Sequence, residues 1–75
     1  MGDRHVLPHA RGWQIAKSDK AQASEVHETQ EEAIGRAREI IHNDGGGELV
    51  IHGEDGKIRD KRTIAPATDP YPPRG

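Results

Sequence analysis

The sequence contains no cysteine and no phenylalanine, with one tryptophan, one tyrosine and one methionine. Without thiols there is no disulfide, no thiolate nucleophile and no cysteine-based zinc site to staple a small fold together. A secreted domain of this size normally carries bridges, so the composition points to the cytoplasm. No 18 apolar residues run together, and no segment reads as a membrane span. Met1-Gly2-Asp3-Arg4-His5 lacks the apolar stretch of a signal peptide. Val6 stands where a myristoylation signal needs serine or threonine. Charge of one sign is also missing: the formal net charge is −2 with both signs interspersed, so bulk charge does not point to nucleic acid.

What is present must build one small core. At 75 residues the chain makes one domain, and a chain this short buries only about 60% of its unfolded surface. With 31% hydrophobic residues, that core falls to Ile, Val, Leu, Ala and Trp13. The expected stability is about 3–5 kcal/mol.

Alternation and turn chemistry place the elements. Arg4 to His9 reads as a strand that lies at an edge or ends near Pro8, which has no amide hydrogen to donate. After a turn at Ala10-Arg11-Gly12, residues 13–17 alternate with Trp13 and Ile15 inward. A loop over 18–23 leads to a third strand, 24–28, with Val26 inward. Thr29-Gln30-Glu31-Glu32 is a capping box, and two acids in the first turn suit the positive end of the helix dipole. Ala33, Ile34, Ala37, Ile40 and Ile41 form one apolar stripe at helical period. Asn43-Asp44-Gly45 ends the helix, with Gly45 as the left-handed residue. Residues 48–52 and 57–62 read as strands joined by a turn at Asp55-Gly56, with Leu49, Ile51 and Ile58 inward.

The fold expected is therefore α+β: a small antiparallel sheet in the order β-β-β-α-β-β, with one helix packed on one face. Residues 1–64 form the domain. Residues 65–75 carry Pro66, Pro70, Pro72 and Pro73 and read as a polyproline tail or a strap.

Several stretches resemble a bacterial family named domain of unknown function 2188. They are Val6-Leu7-Pro8-His9 with Gly12-Trp13, Val26-His27 before Thr29-Gln30-Glu31-Glu32-Ala33, and the run from Gly46 to Ile58. The closing Asp69-Pro70-Tyr71-Pro72-Pro73-Arg74-Gly75 is a fourth. The resemblance covers nearly the whole chain and implies a free-standing bacterial domain. It supplies no catalytic residue. More loosely, three strands before a helix opening Thr-x-x-Glu-Ala resemble AP2-type and phage-integrase arm-binding domains, which lay a sheet on DNA; that is analogy of fold.

No catalytic constellation is visible. Ser18, Ser24 and the threonines lack nucleophile-elbow context, and the carboxylates sit in loops or on the exposed helix face. Gly45-Gly46-Gly47 follows a helix, so it is no phosphate loop. The expectation is a non-enzyme with no cofactor, no small-molecule substrate and no membrane partner. Binding is the better class. The sheet face away from the helix is expected to carry Gln14, Ala16, Glu25, His27, Val50, His52, Arg59 and Lys61. It is the candidate surface for a protein partner or a second copy. The alternative is nucleic acid, held by Lys57, Arg59 and Lys61 in a row on the last strand. A third reading takes His27 and His52 as a metal-responsive pair, although the five histidines show no ligand spacing of a known metal motif.

Overall fold

A computed structural model describes residues 2–18 and 22–66. Parts of the expected loop over 18–23 and of the proline-rich tail lie outside the described residues. Five strands and one helix follow in the expected order: β1 (Arg4–His9), β2 (Gly12–Ala16), β3 (Ala23–His27), α1 (Gln30–Asn43), β4 (Gly47–His52) and β5 (Ile58–Ile64).

The helix forms where its signals predict. The Thr29 hydroxyl accepts the Glu32 amide at 3.1 Å, satisfying one of the free donors of the first turn. At the other end the Gly46 amide donates back to the Ile41 carbonyl at 2.8 Å, the six-to-one bond of a Schellman ending. That bond needs a left-handed residue before it, and Gly45 has φ +93°.

Ala33, Ala37 and Ile41 press onto Val6, Ile15, Leu49 and Ile51, with Trp13, Ile34, Ile40 and Ile64 packed around the rim. The helix touches all five strands and covers one face of the sheet. On β2 and β4 these apolar positions alternate, so the intervening residues face the other way.

The strand order is β3-β2-β1-β4-β5. The α+β class holds, but the hairpin pattern predicts antiparallel pairing throughout, and the central β1–β4 pair is parallel. The chain passes through two strands and a helix between them, so no turn constrains their relative direction. β1 is also the central strand instead of an edge. Pro8 is tolerated there because the β4 ladder spans only Arg4 to Val6, leaving Pro8 paired with Trp13 of β2 alone.

Two residues expected in the core are not there. Val26 is 40% exposed and Ile58 56% exposed. Register explains the first: with Ile15 inward, its opposite number on β3 is Glu25, so Val26 turns outward beside Gln14. A bulge explains the second. The ladder steps from Ile51↔Asp60 to His52↔Ile58, skipping Arg59, and the extra residue carries Ile58 to the face opposite the helix.

Candidate functional site

The uncovered sheet face is built from alternate positions of all five strands. Leu7, Ala16 and Val50 are buried and form its floor. They are flanked in register by longer side chains: Gln14 opposite Leu7, His5 opposite both Ala16 and Val50, and Lys61 opposite Val50. Val26 stands at one side of this face and Ile58 at the other, on the two outer strands.

At the centre two histidines from neighbouring strands meet. His5 Nδ1 lies 2.9 Å from His52 Nε2, with ring centroids 5.2 Å apart. His52 Nδ1 lies 2.8 Å from the Gly56 carbonyl oxygen. A carbonyl only accepts, so His52 Nδ1 carries a hydrogen; in the neutral ring, Nε2 then accepts from His5. His52 is 3% exposed, and its own carbonyl accepts from the Gln30 side chain at 3.1 Å. This ties the β4–β5 turn to the centre of the face and the far side of β4 to the first turn of α1.

The other candidate residues are distributed as follows. His27 belongs on the helix side of β3, where its Nε2 donates to Glu25 at 2.9 Å. Strict alternation predicts Glu25 and His27 on the open face; the β2–β3 register that turns Val26 outward turns both of them inward. His27 and His52 therefore occupy opposite faces with β2 and β1 between them, and do not converge. Among the described residues no group of three or more His, Cys, Asp or Glu side chains is placed to hold a metal ion. Val50 and His52 do lie on the open face, both buried. Lys57 precedes β5 in the turn, where its amide donates to Asp55 at 3.0 Å. Arg59 lines a groove beside the helix with Gln30, Ile34 and Ile51. Lys61 stands opposite Val50 on the open face. The bulge breaks the row that strict alternation predicts for these three cations.

The His5–His52 contact escaped sequence reasoning because it depends on strand order. The only signal was two histidines at the polar phase of their strands.

At the β3 edge, Arg36 Nε donates to Glu25 at 3.0 Å while its Nη1 donates to Glu39 at 2.7 Å. Burial pushes the Glu25 carboxyl up, but hydrogen bonds from His27 and Arg36 and their charges outweigh it and leave its pKa below the ordinary value. A lowered folded pKa means stability that is complete above the ordinary carboxylate range and lost as pH falls through the lowered value. Urea titrations should therefore show wild type and Glu25→Gln converging in stability as pH drops from 7 into that acidic window. A difference independent of pH would show that the Glu25 charge contributes nothing.

A family model described as "Uncharacterized protein conserved in bacteria (DUF2188)" matches residues 4–64, the whole span from the start of β1 to the end of β5. The chain belongs to that family. A curated relative, "Uncharacterized protein YdaT" of Bacillus subtilis (strain 168), is 37% identical over 57 residues. The match covers 76% of this chain and 37% of the relative, so this DUF2188 domain corresponds to little more than a third of that protein. No solved structure matches the chain. Among the described residues no helix is long and apolar enough to cross a membrane.

Proposed function

We propose that this domain is a non-catalytic interaction module that docks a protein partner on its open sheet face. One observation carries the reading: among the described residues the exposed large apolar side chains, Val26 and Ile58, both stand on the face the helix leaves uncovered. Between them lies a floor of Leu7, Ala16 and Val50. The face thus presents apolar side chains at its two sides with His5, Gln14 and Lys61 among them, and exposed apolar side chains gathered on one face favour a protein partner. Lys61 and Glu48 supply one charge of each sign on adjoining strands, suited to orienting a partner more than to tracking a phosphate backbone. The nucleic-acid alternative gains little from Lys57, Arg59 and Lys61, which point in different directions.

The test is photo-crosslinking from position 58 on the intact protein in bacterial cells, with position 38 on the outer helix face as control. The expected result is one adduct specific to position 58, which re-forms from purified components and weakens about tenfold with Lys61→Glu. Identical adducts from both positions would sink the proposal. So would DNA-induced NMR shifts on Lys57, Arg59 and Lys61 that persist at physiological salt.

A further inference from the structure

The two edges of the sheet are protected to different extents. Edge strands expose unpaired amides and carbonyls, and proteins commonly block them with charge, proline or bulges. β5 is blocked: it bears Lys61 and Arg62, a bulge near Ile58, and an Asp60 carboxylate that takes up the Lys61 amide at 2.8 Å. Arg62 in turn holds that carboxylate at 3.1 Å. β3 is blocked only at its start, where the ladder skips Ser24 between Ile15↔Glu25 and Ala16↔Ala23; from Glu25 to His27 it pairs regularly with β2, and Glu25 and His27 point to the helix side. Among the described residues the strand contains no proline and no lysine, no hydrogen bond occupies its backbone from its own side chains, and Val26 at its centre is 40% exposed.

The residues around Val26 form a self-complementary pattern. Glu25 and His27 flank it on the helix side, and read antiparallel the triplet places acid opposite base. We propose that β3 pairs antiparallel with β3 of a second copy, with Val26 on the two-fold axis. Val26 then meets its equivalent on the open face. Glu25 stands opposite the partner's His27, and His27 opposite the partner's Glu25, on the helix face. Residues directly opposite in an antiparallel pair share a face, so both helices lie on the same side of one ten-stranded sheet. Arg36, which already reaches Glu25 from α1, stands next to this paired row. A contact made through one short strand buries little area, so the dimer belongs with weak, concentration-dependent associations. This inference does not depend on what docks on the open face.

Sedimentation velocity and ¹⁵N NMR across micromolar to millimolar concentrations test it. The expected result is a monomer–dimer equilibrium with concentration-dependent shifts confined to Ser24–Glu28 and the adjoining β2 residues. Val26→Lys puts two cations on the axis and should weaken association about tenfold or more with an unchanged circular dichroism spectrum. Ile58→Asp, on the far side of the sheet, should leave it unchanged. Two further chains test the pairing itself. The Glu25→Lys chain and the His27→Glu chain should each be monomeric alone and associate when mixed, because each supplies the charge the other lacks. A wild-type chain monomeric at millimolar concentration overturns the proposal. So do a dimer that survives Val26→Lys and a mixture of the two charge variants that stays monomeric.

Discussion

Replacing Ile41 by alanine should leave the domain largely unfolded at room temperature. Ile41 is fully buried in the last turn of α1, in one core cluster with Ala33, Ala37, Val6, Ile15, Leu49 and Ile51. The cluster it joins is made of alanine, valine, isoleucine and leucine side chains, all nearly fully buried. Truncation of a fully buried isoleucine costs about 2–5 kcal/mol, the transfer term plus the cavity. A domain of this size has about 3–5 kcal/mol to lose. Urea unfolding followed by Trp13 fluorescence should show a midpoint near zero denaturant, or no folded baseline at all. Ile58→Ala serves as the control. With 56% of Ile58 already exposed, the change should stay within about 0.5 kcal/mol of wild type. Equal losses from the two substitutions would mean that the core is not where Ile41 sits.

The second large effect is expected at a glycine. Gly12 opens β2 with φ +141°, a backbone conformation that residues with a Cβ rarely adopt. A Cβ there would run into the His27 carbonyl oxygen and lie 3.0 Å from the Glu28 carbonyl oxygen. Both obstacles are main chain of the β3 end, so relief requires moving the strand. Gly12→Ala should cost about 1–3 kcal/mol for the backbone conformation and more for the displaced β3. Gly35→Ala makes the opposite prediction from the same chemistry. Gly35 lies within α1 and a Cβ there meets nothing within 4 Å, so the substitution should stabilise by about 0.5–1 kcal/mol. Thermal melts of the two variants should move in opposite directions. A Gly12→Ala melt superimposable on wild type would refute the close approach of β2 to β3.

How much of this was legible depended on whether the deciding information was local. The helix was readable almost to the residue, because Thr29, the acids after it, the stripe from Ala33 to Ile41 and Gly45 all act within a turn or two of where they stand. Strand positions were readable for the same reason, and so were Trp13, Ile15, Leu49 and Ile51 as residues of the helix-facing side. Register was not. Whether Glu25 or Val26 faces the helix depends on which residue of β2 stands opposite, and a single skipped residue at Arg59 turns Ile58 over. Neither leaves a mark in the composition of its own strand. The candidate surface suffered most. Apolar character alone predicts Val26 and Ile58 inward, and their exposure is what marks the open face. The meeting of His5 and His52 required the knowledge that β1 lies beside β4.

That adjacency also orders events in time. β1 is the middle strand of the sheet, yet it is synthesised well before β4, and its ladder on one side is completed only when Leu49–Ile51 arrive. Until then β1 and β2 form a ribbon with a bare flank, and the helix stripe has only half of its floor. Closing a connection of that length costs entropy before any contact repays it, so the parallel seam is expected to form after the β1–β2 hairpin. A nascent chain stalled before β4 would present the Val6 and Ile15 side of that ribbon to whatever else is nearby.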